Sequence, residues 1–279
     1  MKALVIGGSG FVGSAIVKKI AADEVSYFSR NESKELRELG FKWIKGNILN
    51  AQETADAVSG HDMIIHAAGI FDEREQKFQD INLQGIKNIV APLKAADRDQ
   101  RLVYISCINV DFAPMEFFHS RRLTEGNVST VKNSMIVRTS VIFGNGDRIT
   151  PIVAKLAKSE ITKLPETGNM APVHVEDLVE VIGKTPEFKG SMFVCSRDRM
   201  SLKMAVNLVR KRIGKPELGY VKPKPSKIDK IYEKLQDHGI LEKETLSIYS
   251  LNYYRENTSL YRFVEKPRSY GEYLEGIDL

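Results

Sequence analysis

Along the first two thirds of the chain, short apolar runs rich in β-branched residues alternate with longer amphipathic segments. Such alternation is typical of parallel strands that are buried on both faces and joined by crossover helices. The pattern predicts strands at residues 2–6, 24–29, 42–45, 62–67, 101–106, 134–140 and 171–175, with helices near residues 11–21, 33–39, 51–59, 73–97, 115–132 and 147–159. The predicted fold class is therefore α/β, a doubly wound parallel sheet covered by helices on both sides.

The pattern changes after residue 175. It predicts a helix from Val175, a strand near residues 192–195, a helix with Ser201 as its N-cap, and helical structure over residues 228–279. We therefore expect a domain over residues 1–175 and a smaller helical or mixed C-terminal lobe over residues 176–279, partly interleaved with that domain.

The first predicted strand is joined to the first predicted helix by a glycine-rich turn, formed by Gly7, Gly8, Ser9, Gly10, Phe11, Val12 and Gly13. Backbone N–H groups at a helix N-terminus bind a pyrophosphate with help from the helix dipole, and glycine lets the phosphate come close. This turn within a strand–helix alternation predicts a Rossmann-type dinucleotide site. A turn that serves only close helix–sheet packing is the alternative.

Arg30 stands at the end of the second predicted strand, where an NAD site usually carries an Asp or Glu for the ribose hydroxyls. A carboxylate would repel a 2′-phosphate, whereas a guanidinium offers it forked, charge-assisted hydrogen bonds. Ser9 and Lys34 lie close to it in the sequence and can assist. The predicted cofactor is NADP(H), with NAD as the alternative and a merely solvated Arg30 as the remaining interpretation.

The composition, 42% hydrophobic and 28% charged, is that of an ordinary globular protein. Cys107 and Cys195 lie in apolar runs and form neither a disulfide framework nor a zinc motif. No histidines and carboxylates have metal-ligand spacing, so no metal is predicted. No stretch approaches the roughly 20 apolar residues that a membrane-spanning helix needs. These features favour a cytoplasmic protein.

Lys and Arg outnumber Asp and Glu over residues 210–230, although the net charge of the chain is only +5. This basic run predicts a surface for an acidic protein partner or another anionic surface, including the periphery of a membrane. A solvated loop is the alternative. Binding to nucleic acid would depend on this run alone and is not expected.

The motifs and their order resemble the short-chain dehydrogenase/reductase superfamily, in its extended or atypical, NAD(P)-dependent epimerase/dehydratase-like branch. Over roughly residues 1–200 the resemblance is carried by the Gly7–Gly13 turn and by residues 46–48, 66–69, 82–88, 104–106, 137–144 and 172–177. The last two segments, with the short gap after Ser106, are most similar to one atypical subgroup. That subgroup contains the nucleotide-binding accessory subunit of respiratory complex I and its prokaryotic relatives.

The resemblance implies a role for Asn47 at the adenine, for Ala67, Ala68 and Gly69 along the cofactor, and for Ser140 and Val141 near the nicotinamide. With the turn and Arg30, the predicted cofactor-binding residues are Gly7, Ser9, Gly10, Phe11, Val12, Gly13, Arg30, Asn47, Ile48, Ala67, Ala68, Gly69, Asn82, Ser106, Arg121, Ser140 and Val141.

Active members of the superfamily use a Ser or Thr, a Tyr and a Lys four residues after that Tyr. The corresponding positions here are Cys107, Phe117 and Arg121, so all three are replaced. Phenylalanine has no proton to give, and general acid–base help is typically worth about 10²–10⁴-fold in rate. Arg121 stays protonated and can still hold a ribose hydroxyl or a phosphate. Cofactor binding is therefore expected to persist where catalysis is lost.

No neighbouring group is an evident substitute. His119 is expected to point away from the face that carries Phe117 and Arg121, and His66 to be structural or near the pyrophosphate. His174 and Asp177 lie at a predicted strand-to-helix junction. Asp177 is interpreted as a helix start, and a role in lining the cleft is left open for His174. Cys107 is interpreted as buried packing.

Two main hypotheses remain. The first is a protein that holds NADP(H) with little turnover, as a sensor or an assembly subunit. The second is an active NAD(P)-dependent reductase, epimerase or dehydratase, acting on a small carbonyl or nucleotide-sugar substrate through unconventional residues. The sequence alone identifies no catalytic residue.

Overall fold

The computed structural model describes residues 1–70, 73, 75–96, 99–111, 115–221 and 251–278. Its strands are β1 (Lys2–Ile6), β2 (Glu24–Ser29), β3 (Lys42–Lys45), β4 (Met63–His66), β5 (Arg101–Cys107), β6 (Ser134–Thr139), β7 (Ile142–Phe143), β8 (Lys163–Pro165), β9 (Asn169–Met170), β10 (Val173–His174), β11 (Gly190–Val194), β12 (Met200–Ser201) and β13 (Gly219–Val221).

The α-helices are α1 (Phe11–Lys19), α2 (Lys34–Glu38), α3 (Ala51–Ser59), α4 (Gly85–Ala95), α5 (Glu116–Val128), α6 (Ile149–Lys158), α7 (Val175–Gly183), α8 (Leu202–Arg212), α9 (Leu260–Phe263) and α10 (Tyr270–Gly276). A π-helical turn, Gln79–Gln84, precedes α4. Side-chain caps begin several of these helices. Asn50 accepts hydrogen bonds from two backbone amides of α3, and Ser201 accepts one from Met204 at the start of α8, as predicted.

Seven parallel strands form the central sheet in the order β11-β6-β5-β4-β1-β2-β3. Its two faces are both apolar, because alternate residues of each strand enter opposite cores: Val5 and Val103 on one side, Leu4 and Leu102 on the other. The predicted doubly wound α/β fold is confirmed. The chain winds outward from β1 in both directions, so a crevice opens at the carboxyl ends of β1 and β4.

The C-terminal part returns to this sheet. Strand β11 pairs in parallel with β6 at the edge of the sheet. The remaining short strands form three two-stranded pairs, β7 with β10, β8 with β13 and β9 with β12. Around them a second core forms over the carboxyl edge of the sheet, where Phe143, Val206 and Tyr270 are buried together.

Three sequence predictions need correction. The helix expected over residues 73–97 is divided into the π-helical turn and α4. The strand expected at residues 171–175 is only Val173–His174, and it pairs with β7 instead of joining the main sheet. Of the helical structure expected over residues 228–279, residues 228–250 lie outside the described residues. Residues 251–259 form no helix, and only α9 and α10 are helical.

Candidate functional site

The glycine-rich turn leads directly from β1 into α1. Gly7 has a positive φ of 81°, and its carbonyl oxygen accepts a hydrogen bond from the Gly10 amide at 3.0 Å. Gly10 is the N-cap residue of α1 and supplies no side-chain cap, and the first turn of the helix carries no acidic residue. The first amides of α1 therefore remain available to an anion.

Only glycine fits the closest approaches in this turn. A Cβ on Gly13 would lie 2.2 Å from the Gly7 carbonyl oxygen, and a Cβ on Gly7 would lie 2.7 Å from the backbone of Ala68. The turn is thereby pressed against the segment that follows β4. The resulting cradle of backbone amides, free of Cβ atoms and carboxylates, fits a pyrophosphate group.

Two cavities extend from this cradle along the carboxyl edge of the sheet. One has a volume of about 270 Å³ and the other about 450 Å³, and both are lined by Gly10, Ala67, Ala68 and Gly69. The pair forms a trough with its centre at the turn. Its shape suits a molecule with two bulky ends joined by a diphosphate.

The smaller cavity contains the residues predicted for the adenosine half. Ser9, Arg30, Asn47 and Ile48 all line it. Arg30 is exposed, and Glu32, two residues further on, is held by Arg37 at 3.1 Å. The Asn47 side-chain oxygen accepts the Leu49 amide at 3.1 Å, so this side chain also shapes the turn after β3.

The larger cavity brings together the three replaced positions. Cys107 at the end of β5 and Phe117 and Arg121 on α5 line it, as do Ser106, Ser140 and Val141. The Arg121 guanidinium carbon lies 4.8 Å from the centre of the Phe117 ring. Because residues four apart share one face of a helix, both side chains enter the cavity from α5, as the sequence predicts.

Arg121 is a buried cation. Its guanidinium nitrogen Nη2 lies 2.9 Å from the position that a Cβ on Gly69 would occupy, and its Nε has no hydrogen-bond partner among the described residues. Burial lowers the pKa of Arg121, but the side chains of Tyr104, Cys107 and Tyr253 more than offset this effect and leave the pKa raised. A fixed positive charge therefore stands at the junction of the two cavities.

Comparison with known proteins agrees with this geometry. Residues 4–136 match the model of the 3-beta hydroxysteroid dehydrogenase/isomerase family. A 2-alkyl-3-oxoalkanoate reductase from Shewanella oneidensis is 27% identical over 242 aligned positions, which cover 70% of this chain and 62% of that protein. A 3-beta-hydroxysteroid dehydrogenase from Mycolicibacterium neoaurum is 34% identical over 120 positions, 39% of this chain and 32% of that enzyme. The chain thus spans less than two thirds of the length of either relative.

This family similarity covers residues 4–136, just under half of the chain. Solved structures share its fold. The Citrobacter triphenylmethane reductase complexed with NADP(H) has a TM-score of 0.76 at 14% identity, over 98% of this chain and 99% of that one. The Thermus thermophilus UDP-glucose 4-epimerase in complex with NAD has a TM-score of 0.65 at 17% identity, over 90% of this chain and 97% of that one.

One residue of the larger cavity, Tyr253, was missed by sequence reasoning. This residue comes from the extended segment after residue 250, is 5% exposed, and lines the larger cavity together with Cys107 and Arg121. Burial raises the pKa of the Cys107 thiol, and the Arg121 guanidinium and the Tyr253 hydroxyl partly oppose that rise. A phenol therefore lies near Cys107, Phe117 and Arg121, where the sequence offered no evident substitute. No sequence pattern marked Tyr253, because its partners are more than 80 residues away.

The side chains of two predicted cofactor residues, Asn82 and Ser140, form hydrogen bonds with other groups of the protein. Asn82 is buried behind the wall of the cavity, where its amide donates to the Ser120 hydroxyl at 2.9 Å. The Ser140 hydroxyl lines the larger cavity but donates to the Tyr253 carbonyl at 2.5 Å. Asn82 therefore fixes α5 relative to the π-helical turn, and Ser140 fixes the Tyr253 segment.

The remaining histidine and acid candidates are structural. His119 is exposed, as expected, and His174 lines neither cavity. His174 caps α7, since its Nδ1 accepts the Glu176 amide at 3.2 Å. Asp177 lies in the first turn of α7, as interpreted, and has a further role. Its carboxylate is fully buried and accepts hydrogen bonds from the backbone amide and the guanidinium of Arg268.

His66 lies under the site, fully buried at the end of β4. Its ring stacks on Tyr104 with centroids 5.3 Å apart, and neither ring nitrogen has a hydrogen-bond partner among the described residues. Burial, assisted by the positive charge of Arg121, lowers the pKa of His66 to about 3. The neutral ring therefore belongs to the folded state at every ordinary pH.

We predict that replacing His66 by phenylalanine reduces the loss of unfolding free energy that the protein shows as the pH falls below 6.5. Below pH 6.5 the unfolded chain protonates this histidine and the folded chain does not, so stability falls as the pH drops from 6.5 toward 3. At 1.36 kcal/mol per pH unit, the wild type loses about 2 kcal/mol from His66 between pH 6.5 and pH 5. Urea unfolding of both proteins at the two pH values measures this difference. The exposed His119→Phe variant should behave as the wild type, and equal losses in His66→Phe and wild type would contradict the prediction.

Three cations in the described part of the basic run bind other groups of the protein. Arg210 is buried and donates to the Ile161 carbonyl at 2.7 Å, and Arg212 donates to the carbonyls of Leu274 and Ile277. Lys215 pairs with Glu160 at 2.8 Å. Residues 222–230 lie outside the described residues.

Neither a membrane-spanning helix nor a metal-binding cluster is present among the described residues. None of the described helices combines the length and the apolar character that crossing a bilayer requires. Over those residues, no three His, Cys, Asp or Glu side chains gather closely enough to bind a metal ion. Cys107 and Cys195 are both buried free thiols.

Proposed function

We propose that the protein binds NADP(H) along the trough and reduces a small, largely apolar carbonyl compound in the larger cavity. The observation that carries this proposal is the pair of cavities that meet at the glycine cradle, one with Arg30 at its rim and the other with Arg121. The diphosphate then lies on the amides of α1, the adenosine half near Asn47, and the nicotinamide half beside Ser140 and Val141.

The chemistry of the larger cavity favours a reductase with an apolar substrate. Beside Arg121 it is lined mainly by apolar groups, among them Phe117, Val141, Ile142 and Ile149. When bound, reduced NADP supplies a hydride to a carbonyl carbon. This chain's residues exclude water and orient the carbonyl in that apolar space. The similarity to the 2-alkyl-3-oxoalkanoate reductase of Shewanella oneidensis supports a substrate of this kind.

A second candidate is a protein that holds NADP(H) with little turnover, as a sensor or an assembly subunit like the accessory subunit of respiratory complex I. It is supported by Phe117, which is 4% exposed and packs edge-on against Phe78 and Phe118 at 5.7 and 5.0 Å, where the family carries its tyrosine. Arg121 cannot replace that tyrosine, since it does not give up its proton near neutral pH.

One experiment separates the two candidates. One sample of the purified protein is denatured, and any released nucleotide is identified by mass. A second, native sample is saturated with NADPH and given a panel of ketones and 3-oxo acids, and oxidation of NADPH is followed by its fluorescence. Oxidation of NADPH by an apolar carbonyl compound supports the reductase. Tight binding without oxidation across the panel supports the low-turnover protein, and failure to bind any dinucleotide contradicts both.

We predict that Arg30→Ala raises the Kd for NADPH about 10- to 100-fold and leaves the Kd for NADH within about twofold. A charge-assisted contact to a 2′-phosphate is worth about 1.5–3 kcal/mol, and 1.4 kcal/mol is a tenfold change in affinity. Fluorescence titration with each nucleotide measures both constants. Arg262→Ala, which removes an exposed arginine on α9 outside both cavities, is the matched control and should change neither. Equal losses for the two nucleotides in Arg30→Ala would refute the assignment of NADP(H).

A further inference from the structure

Tyr253 enters the larger cavity from the C-terminal segment, on the side of the replaced positions. It shares that cavity with Ser106, Cys107 and Arg121. Its ring is tilted against Phe118 with the centroids 6.1 Å apart, and Phe118 in turn packs edge-on against Phe117. A phenol therefore stands in the same aromatic cluster as the phenylalanine that replaces the family's tyrosine.

The backbone of Tyr253 is fixed at both of its polar groups. Its amide donates to the Asn169 carbonyl at 2.7 Å. Its carbonyl oxygen accepts hydrogen bonds from the Ser140 hydroxyl at 2.5 Å and from the Ala171 amide at 3.4 Å. Since Ser140 follows β6 at the edge of the cavity, the position of Tyr253 is set by the wall that faces the nicotinamide half.

The neighbours of Tyr253 are tied to the loop that follows Cys107. Asn109, whose φ is 75°, donates to the Asn252 carbonyl at 2.7 Å and accepts a hydrogen bond from Arg255 at 3.2 Å. The Asn252 side chain accepts the Asn169 amide at 3.0 Å. A non-glycine residue with positive φ is uncommon, and here it holds the end of β5 and the Tyr253 segment together.

The phenol also lies within electrostatic reach of the groups that matter for proton transfer. The Tyr253 hydroxyl and the Arg121 guanidinium both act to lower the pKa of the Cys107 thiol, which burial raises. Tyr253 and Cys107 in turn act to raise the pKa of Arg121. A fixed guanidinium stabilises the negative charge that a phenol acquires when its proton leaves, as the family's lysine does for its tyrosine. Arg121 is thus placed to support a phenol that comes from the C-terminal segment instead of from α5.

We propose that Tyr253 is the proton donor of this site, in place of the residue lost at Phe117. The inference rests on the proposed reductase function. When bound, reduced NADP would supply a hydride to the carbonyl carbon and would itself become oxidised NADP. The Tyr253 O–H bond breaks as an O–H bond forms on the carbonyl oxygen. The product is an alcohol, and the phenolate stabilised by Arg121 regains its proton from water at the open side of the cavity.

The first test compares the Tyr253→Phe and Tyr254→Phe variants of the whole chain. Tyr254 is the neighbouring residue, stacks on Arg199 at 4.0 Å and does not line the cavity. We expect Tyr253→Phe to lower kcat by about 10²–10⁴-fold with the Kd for NADPH unchanged within about twofold. Tyr254→Phe should keep both values. A Tyr253→Phe variant that retains wild-type kcat would overturn the inference and leave the reductase function intact.

The second test does not depend on turnover. In protein labelled with 3-fluorotyrosine, the ¹⁹F resonance missing from Tyr253→Phe belongs to Tyr253. We expect this resonance to shift when NADPH binds, while that of Tyr261, assigned in the same way, does not move. A Tyr253 resonance unchanged at saturating NADPH would overturn the inference even where the nucleotide binds. Failure of NADPH to bind the wild type would instead contradict the proposed function.

The labelled protein also serves if Tyr253→Phe fails to fold. Fluorination makes a phenol more acidic, so a proton-donating Tyr253 shifts the alkaline fall of kcat to lower pH in the labelled enzyme. The same label in Tyr254→Phe should give the same shift, because Tyr254 takes no part. An alkaline limb that is identical with and without fluorine would count against Tyr253 as the donor.

Discussion

Replacing Gly13 by alanine will raise the Kd for NADPH at least about 100-fold and destabilise the protein. The new Cβ would lie 2.2 Å from the Gly7 carbonyl oxygen and 2.8 Å from the Gly8 Cα, and both are backbone atoms that cannot rotate away. The turn must therefore open and withdraw the amides of α1 from the phosphate. Losing two charge-assisted hydrogen bonds costs about 3 kcal/mol, or 100-fold in affinity, and overpacking typically costs 1–3 kcal/mol of stability.

The same substitution at Gly126 is the matched control. Gly126 lies within α5, and a Cβ added there meets nothing within 4 Å. Because alanine is favoured over glycine inside a helix, Gly126→Ala should be neutral or stabilising by up to about 1 kcal/mol. Isothermal titration with NADPH and urea unfolding measure both properties in the two variants. NADPH binding by Gly13→Ala at wild-type affinity would show that the phosphate does not lie on this turn.

Asp177→Ala will cost about 2–3 kcal/mol of unfolding free energy, because one buried carboxylate anchors the C-terminal segment. Asp177 is 0% exposed, and its oxygens accept both the backbone amide of Arg268 at 2.8 Å and its guanidinium. This loss of unfolding free energy is smaller than that for a fully buried ion pair, since Arg268 is 48% exposed and water can solvate it. For a domain of this size the loss lowers Tm by roughly 5–10 °C.

Glu176→Ala provides the comparison on the same helix. Glu176 contacts the same arginine at 2.8 Å, but its side chain is 32% exposed and also pairs with Lys19. A solvent-exposed pair is worth less than about 1 kcal/mol, so Glu176→Ala should lose far less stability than Asp177→Ala. Thermal unfolding followed by circular dichroism ranks the two variants. Equal losses would mean that burial of the Asp177 carboxylate is not what fixes the segment.

The residues that line the smaller cavity could be predicted from the sequence because the relevant constraints are local. The glycine turn, the strand before it and the helix after it are continuous in the chain, and their geometry follows from neighbouring residues. The same holds for Phe117 and Arg121, which share a helix face because they are four residues apart. Arg30 is found in the smaller cavity because it ends a strand that pairs in parallel with β1.

The larger cavity could be predicted only in part. Its walls from β5, α5 and β6 were identified, but Asn82 and Ser140 were assigned to the cofactor when their side chains bind Ser120 and the Tyr253 carbonyl. A motif identifies a position in the chain. It does not show which hydrogen-bond partner the hydroxyl or amide at that position has in the folded protein. Side chains with several possible partners are therefore the residues for which sequence reasoning is least specific.

By itself the sequence determined the doubly wound sheet, the glycine-rich turn between β1 and α1, and the presence of Phe117 and Arg121 on one helix face, since each depends on hydrophobic period, glycine stereochemistry or residue spacing. Only the tertiary structure decided that β11 extends the sheet beside β6, that Asp177 holds Arg268, and that Tyr253 and Arg121 line the same cavity. These contacts join residues about 50 to 130 positions apart. Their free energy comes from burial and hydrogen bonding across the fold, which no local pattern records.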